Sequence, residues 1–338
     1  MGYCEEVRIV SGKHIALMVF LLFAAGTAAL LWYVVWMPGK SYSGALRPLS
    51  AEEAKLRDNL HRHVVAVASR ERHAMEQVNL EAAARYIENT LAALGYRVAT
   101  QPFEVETGSV RNIEVELAGA ALAEEIIVVG AHYDSVVGAP GANDNGSGVA
   151  AVLELARMFK GAAPARTVRF VLFVNEEMPF YRTLDMGSRR YAARSKHQRE
   201  NIVAMFSLET IGYYSDERES QRYPFPLSFF YPNTGNFLAF VSNFASRPLL
   251  HDALGAFRRH AAFPSDGVAA HASMQGVDWS DHWPFWDEGY PALMVTDTAP
   301  FRYPHYHTPE DTPDKVDYER LARVVVGLKG MLQELAGR

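Results

Sequence analysis

Four short clusters of histidine and acidic residues each follow an apolar run in this chain. Their sequences are AHYD at 131–134, NEE at 175–177, ET at 209–210 and HYHTPEDT at 305–312. Imidazole nitrogens and carboxylate oxygens are ligands of catalytic zinc, which activates water for hydrolysis. The only cysteine is Cys4, far from these clusters in sequence, so a metal site here must use His, Asp and Glu.

The first cluster opens a glycine-rich segment, Gly130 to Gly148, that contains both His132 and Asp144. His132 is a candidate zinc ligand. Asp134, two residues on and on the same side of an extended chain, can orient its other ring nitrogen. Asp144 precedes a predicted helix, where an aspartate either caps the helix or, between two metals, bridges them. Glycine is also common in surface loops, so this segment alone leaves both interpretations open.

Adjacent carboxylates, Glu176 and Glu177, follow a predicted buried strand. Because neighbouring side chains point in different directions, one can bind metal while the other acts as general base. A solvated acidic pair is the alternative. Glu209 is either a ligand or part of a salt bridge, and His305 and His307 are each either a ligand or a surface histidine.

The elements that must position these clusters alternate between strands and helices. Predicted strands cover 113–117, 125–131, 167–174, 202–208, 227–232 and 291–296, and predicted helices cover 80–96, 148–159, 186–195 and a segment from about Tyr318. Ser50 and Glu53 form a capping box, which predicts another helix to about Ala68. Several strands are apolar throughout, which indicates a three-layer α/β/α fold with a mixed, mostly parallel central sheet.

Such a sheet gives the four clusters a common location. In open α/β sheets, ligands bind in the crevice at the carboxyl ends of the strands. One polar residue at a strand end is ordinary, but polar clusters at four ends of one sheet predict a functional site.

The N-terminal region predicts a membrane helix. Residues 15–37 carry no charge and are long enough to cross a hydrocarbon layer of about 30 Å. A cleaved signal peptide would have an apolar stretch of only about 7–15 residues. We therefore expect a tail at 1–14, a signal anchor at 15–37, a linker at 38–50 and the main domain at 51–338. A domain after one N-terminal span is expected on the exported, periplasmic or extracellular side, although basic residues flank the span on both sides.

Composition argues against one class of partner. The chain has 338 residues with 39 acidic and 33 basic side chains, a net charge of −6. Nucleic-acid binding needs a clustered basic surface, so we expect no nucleic-acid partner. The composition does not indicate an oligomeric state.

The order of these motifs resembles one known family, the co-catalytic di-zinc aminopeptidases. This family is related to bacterial leucyl aminopeptidases, glutamate carboxypeptidase and the glutaminyl cyclases. The resemblance covers about residues 79–337 and includes, in family order, AHYDS, GANDNGSG, NEE, SLETIGY, SDHWPFW and YHTPEDT. Each motif is weak alone, but the ordered set is specific.

The resemblance implies two zinc ions per chain and a ligand set for each. His132, Asp144 and Glu209 would hold one zinc. Asp144, Glu177 and His307 would hold the other, with Asp144 bridging the two. The HTPEDT pattern is the reason for choosing His307 over its neighbouring histidine.

The resemblance also implies the roles of three catalytic residues. Glu176 would take a proton from the attacking water and pass it to the leaving amine, and Asp134 would orient His132. Tyr306 would stabilise the oxyanion. The peptide bond after Asp144 is often cis in this family.

The implied activity is that of a membrane-anchored aminopeptidase that hydrolyses N-terminal residues from peptides. The alternatives are a single-zinc glutaminyl cyclase, an inactive receptor-like ectodomain of the same fold, or a carboxypeptidase or dipeptidase. A complete ligand set favours a di-zinc peptidase. The segment after Glu177 is longer than is usual in the family and is expected to reshape the specificity pocket. Asp281, in SDHWPFW, would either support a ligand or meet the substrate.

Overall fold

The computed structural model describes residues 12–337. Cys4 and most of the predicted N-terminal tail lie outside the described residues. The chain divides into an N-terminal unit that ends at Trp36 and a larger unit from Met37 to Arg338.

The described part of the N-terminal unit is a single long helix. Helix α1 covers Gly12–Val35 and has 24 residues, which corresponds to about 36 Å at 1.5 Å per residue. Its apolar side chains are mostly exposed, as at Leu22 and Phe23. With a mean hydropathy of 2.3 over its most apolar window, the helix is long and apolar enough to cross a membrane, a property that signal sequences share.

In the described residues, the larger unit contains eight β-strands and eight α-helices. The strands are β1 (Ala99–Val105), β2 (Gly108–Leu117), β3 (Leu122–His132), β4 (Arg166–Phe173), β5 (Asn201–Glu209), β6 (Leu238–Ser242), β7 (Ser265–Ala269) and β8 (Ala292–Thr296). The helices are α2 (Ala51–Ala68), α3 (Gln77–Ala93), α4 (Gly148–Phe159), α5 (Gly187–His197), α6 (Arg247–His260), α7 (Trp283–Asp287), α8 (Ala299–Arg302) and α9 (Tyr318–Gly337).

The strands form one mixed sheet in the order β1-β2-β4-β3-β5-β8-β6-β7. Four of its seven pairings are parallel, namely β3 with β4, β3 with β5, β5 with β8 and β6 with β7. The predicted mixed, mostly parallel sheet is therefore confirmed.

Alternate residues of β3 show that the sheet is buried on both faces. Ile127 and Val129 pack into a large core that includes residues of α2, α3, α4, α6 and α9. Ile126 and Val128 point to the other face and pack with Tyr191 of α5 and Phe285 of α7. The three-layer architecture follows from these two cores.

The local predictions agree with the structure for most elements. Ser50 caps α2 and forms the predicted capping box with Glu53. The predicted strand at 227–232 is wrong: it contains a short 3-10 helix, Leu227–Phe229, within a loop. Prolines at 224, 226 and 232 cannot donate to a strand ladder, which explains the irregular conformation. Strands β1, β6 and β7 were not predicted.

The parallel strands bring the polar clusters together. Strands β3, β4, β5 and β8 are neighbours and run in the same direction, so their carboxyl ends lie at one edge of the sheet. His132 and Glu209 are the last residues of β3 and β5, and the two adjacent glutamates follow the end of β4.

Candidate metal centre

His132 lies at the centre of a group of carboxylates. Its side chain is 1% exposed, and its Nε2 atom is 3.3 Å from Asp144 Oδ1 and 3.3 Å from Glu209 Oε2. The other ring nitrogen, Nδ1, is 3.5 Å from Asp134 Oδ1. The structure thus brings together the first predicted ligand set and the residue predicted to orient His132.

A second group shares Asp144 with the first. The Oδ2 atom of Asp144 is 3.0 Å from His307 Nε2, which is also 3.4 Å from Glu177 Oε1. Asp144 therefore directs one carboxylate oxygen toward each histidine, as a bridging ligand would. His305 does not belong to this group; its ring packs against Tyr303 at a centroid distance of 5.5 Å.

Asp134 holds the backbone of the paired glutamates. Its Oδ1 accepts a hydrogen bond from the N–H of Glu176 at 3.1 Å, and its Oδ2 accepts one from the N–H of Glu177 at 3.0 Å. The two glutamate side chains diverge, with Glu177 toward His307 and Glu176 Oε2 at 3.9 Å from His132 Nε2. One carboxylate can therefore bind a metal while the other faces the same centre.

Asp311 supports the loop that carries Asp144. Its Oδ1 accepts hydrogen bonds from the N–H of Asn143 at 2.8 Å and from the hydroxyl of Tyr303 at 2.8 Å. Its Oδ2 accepts one from the N–H of Asp144 at 3.1 Å. The sequence interpretation did not identify this role, although Asp311 belongs to the HTPEDT motif that contains His307.

Two further polar residues fix Glu209. Ser280 donates a hydrogen bond to Glu209 Oε2 at 2.7 Å. Asn145 donates to the carbonyl of Leu208 at 2.8 Å, and its side-chain oxygen accepts from the N–H of Thr210 at 3.2 Å. The Asp144–Asn145 peptide bond is cis, as the family resemblance implies.

Arg72 supports the glycine-rich loop through hydrogen bonds to its backbone carbonyls. Its buried guanidinium donates to the carbonyls of Tyr133 at 2.7 Å and Gly141 at 3.0 Å, and also to the carbonyl of Pro140. These contacts connect both ends of the segment between His132 and Asp144. No sequence pattern around Arg72 indicated this role.

The donor set fits metal ions. Among the described residues, both ring nitrogens of His132, Oδ2 of Asp144 and Oε1 of Glu177 are buried without a hydrogen-bond partner. The proposed ligand atoms lie 3.0–3.4 Å apart where they face each other. These separations are close to the edges of a tetrahedral zinc site, which are about 3.3–3.6 Å long for metal–ligand distances of about 2.0–2.2 Å. The sets His132, Asp144, Glu209 and Asp144, Glu177, His307 each place their ligand atoms within 4.8 Å of one another. A third group, His132, Glu176 and Glu177, also lies within 4.8 Å, with Glu176 Oε2 at 3.9 Å from His132 Nε2.

The charges of the site also call for cations. Burial would lower the pKa of His132, but Glu209 and the neighbouring aspartates raise it well above its ordinary value. Burial raises the pKa of Glu209 to about 8 and the pKa of Glu176 well above its usual range. Against the effect of burial, the neighbouring imidazoles of His132 and His307 lower the pKa of Asp144. Metal ions would provide the positive charge that protons supply in their absence.

Tyr306 lies between the metal centre and a neighbouring cavity. Its ring stacks on His307 at a centroid distance of 3.8 Å, and His307 has a positive φ of 57°. Glu209 and Tyr306 line one end of a mainly apolar cavity of about 90 Å³. A hydroxyl at this position can donate to a substrate atom that reaches the centre.

The long segment after Glu177 packs against the segment that contains Ser280 and Asp281. The Tyr181 hydroxyl donates to the carbonyl of Asp278 at 3.3 Å, and Arg182 forms an ion pair with the Asp278 side chain. Asp281 is fully buried, and neither of its carboxylate oxygens has a hydrogen bond within the described residues.

Comparisons with known proteins concern the family of this chain. Residues 112–328 match the sequence model of peptidase family M28. The chain is 35% identical over 263 residues to the uncharacterized protein YfbL of Escherichia coli, covering 75% of this chain and 80% of that protein. It is 32% identical over 198 residues to aminopeptidase YwaD of Bacillus subtilis, covering 58% of this chain but only 38% of that enzyme.

Solved structures share the fold. The aminopeptidase from Aneurinibacillus sp. strain AM-1 has a TM-score of 0.63 at 19% identity, covering 83% of this chain and 94% of that one. A glutaminyl cyclase from Fimbriiglobus ruber has a TM-score of 0.61 at 19% identity, covering 88% of this chain and 99% of that one. At these identities the likeness concerns the fold alone.

Proposed function

The chain belongs to peptidase family M28 and is a zinc-dependent peptidase, and from this premise we propose that it is a membrane-anchored di-zinc aminopeptidase. The observation that carries the proposal is the position of Asp144, which directs one oxygen to His132 and the other to His307. A single carboxylate placed in this way suits two metal ions better than one.

We assign the ligands by proximity. His132, Asp144 and Glu209 would hold one zinc, and Asp144, Glu177 and His307 would hold the other. When bound, zinc acts as a Lewis acid that polarises a carbonyl oxygen and lowers the pKa of water.

Glu176 is the proposed general base. Its carboxylate is buried beside His132 and is free of the ion pair that Glu177 makes with His307. It would take a proton from the attacking water and donate it to the leaving amine. Asp134 assists by holding the Glu176 backbone and the ring of His132 in place.

Tyr306 and the acidic side chains would contact opposite ends of the N-terminal residue of the substrate. The Tyr306 hydroxyl, beside the last ligand, would donate to the oxyanion. The carboxylates of the centre would bind the free α-ammonium group of the substrate. Attack would then be restricted to the N-terminal residue of a peptide.

Helix α1 would anchor the enzyme. Its length, hydropathy and exposed apolar surface support a membrane span. We propose the division into a tail at 1–14, an anchor at 15–37, a linker at 38–50 and a peptidase domain at 51–338, with the peptidase domain on the exported side.

The proposal is tested by assaying the purified, zinc-loaded chain on aminoacyl anilides and on peptides with blocked N-termini. We expect hydrolysis of the anilides only. Hydrolysis of blocked peptides alone would contradict aminopeptidase activity.

A glutaminyl cyclase is the second candidate, because the fold likeness includes such an enzyme. Cyclisation of an N-terminal glutamine at full rate with one zinc per chain would favour it. Two zinc ions per chain and no cyclised product would support the peptidase.

A further inference from the structure

A row of paired residues crosses the sheet from the metal centre to an edge strand. Glu209 of β5 pairs with Thr296 of β8, Thr296 pairs with Ala239 of β6, and Ala239 pairs with Asp266 of β7. Side chains of directly paired residues lie on the same face of a sheet. With strands about 4.8 Å apart, three steps place the Cα atoms of Glu209 and Asp266 about 14 Å apart.

All four residues of this row line the cavity that opens beside Tyr306. Between Glu209 and Asp266 the cavity is mainly apolar. Its lining here includes the buried side chains Phe237, Ala239, Val241, Val277 and Met294. A side chain that enters from the metal centre would therefore pass over an apolar surface before it reaches Asp266.

Asp266 is only partly neutralised by its neighbour. Its side chain is 26% exposed, and one carboxylate oxygen is 3.5 Å from Arg258 Nη2. The same Nη2 donates at 2.6 Å to the carbonyl of Ser265, and Nη1 donates at 2.9 Å to that of Pro38. The second oxygen of Asp266 accepts no hydrogen bond from any described residue.

Asp266 also carries its charge near neutral pH. Burial raises its pKa to about 6, against the effect of Arg258. Arg258 does not line the cavity, so an incoming ligand would meet Asp266 and not its partner.

We propose that Asp266 determines substrate specificity by selecting N-terminal residues whose long aliphatic side chain ends in a cation, namely lysine or arginine. The aliphatic part of the substrate side chain would pack against the apolar lining of the cavity, and its cation would pair with the unsatisfied carboxylate oxygen of Asp266. In lysine the ammonium is five bonds of about 1.5 Å from Cα, so the extended side chain covers about 6 Å of the row. With a contact of about 3 Å to the carboxylate, the Cα atom of the substrate would lie near Thr296, one strand from Glu209. This inference rests on the proposed aminopeptidase function.

Binding of amino acid amides tests the inference without catalysis. The zinc-loaded full chain is titrated by calorimetry with the amides of L-arginine, L-lysine and L-leucine. Asp266→Asn should weaken binding of the two cationic amides about tenfold or more, with less than a twofold change for leucine amide. Asp252→Asn, the same charge change at an exposed position of α6, is the matched control and should change none of them.

The inference is overturned if Asp266→Asn weakens all three amides equally or none of them. Asp266→Glu is a second variant that keeps the charge and shortens the cavity. It should lower the affinity for arginine amide relative to lysine amide, and an unchanged ratio would count against the inference.

Anilide hydrolysis separates this inference from the proposed function. Discrimination between the amides without hydrolysis of any aminoacyl anilide would refute the aminopeptidase and leave the specificity residue standing. Hydrolysis with the same substrate order in wild type and Asp266→Asn would refute the specificity residue alone.

Discussion

Replacement of Asp311 by Asn tests whether the support of the Asp144 loop sets metal affinity. The carboxylate of Asp311 accepts the N–H groups of Asn143 and Asp144 and the hydroxyl of Tyr303. Asparagine has the same shape, but its amide nitrogen can only donate. One of the two backbone N–H groups would then face another donor in a buried site.

The expected cost follows from these contacts. Loss of a hydrogen bond to a charged acceptor costs about 1.5–3 kcal/mol. We therefore expect Asp311→Asn to lower the free energy of unfolding by about 2 kcal/mol. Substitution of a residue that orients a metal ligand typically lowers metal affinity by about 10–100-fold. We expect Asp311→Asn to lower zinc affinity within this range.

Competition with a chromogenic chelator measures the zinc affinity, and urea unfolding of the metal-free protein measures stability. Tyr303→Phe is the matched control, because it removes one of the three hydrogen bonds without disturbing either backbone N–H, and it should cost about 1 kcal/mol. A zinc affinity within twofold of wild type in Asp311→Asn would refute the reasoning.

Three further predictions concern the proposed chemistry and the anchor. Glu176→Gln should lower kcat by at least about a hundredfold with zinc content unchanged, since it removes only the proton acceptor; substantial residual turnover measured on leucyl anilide would contradict its role. Asp144→Asn should lose zinc and activity together, as measured by metal analysis and the same assay, whereas retention of two zinc ions would exclude a bridging role. A chain that starts at residue 38 should leave the detergent-rich phase in a phase-partition assay, whereas the full chain should remain in it; equal partition would argue against an anchor.

The sequence predicts the site better than it predicts the sheet. His132 and Glu209 end β3 and β5, Glu177 follows β4, and Asp144 and His307 lie in the longer segments after β3 and β8. Parallel strands bring the segments at their carboxyl ends together. The roles assigned to them remain predictions.

Other features depend on contacts that no local pattern records. Arg72 and Asp311 act on backbone groups that are 61 to 69 and 167 to 168 residues away along the chain. Asp266 reaches the same cavity as Glu209 only through three strand pairings, and two of the strands involved, β6 and β7, were not predicted. A long-range register of this kind cannot be inferred from the periodicity of one segment.

The contacts of Asp134 limit how mutation can alter the metal affinity and the proton transfer of this site. Its two oxygens hold the backbone of Glu176 and Glu177, and one of them also faces the ring of His132. Asp134 therefore holds one proposed ligand of each metal, His132 and Glu177, as well as the proposed base, Glu176. Substitution of Asp134 would disturb metal affinity and proton transfer together, so the two properties cannot be adjusted independently from this position.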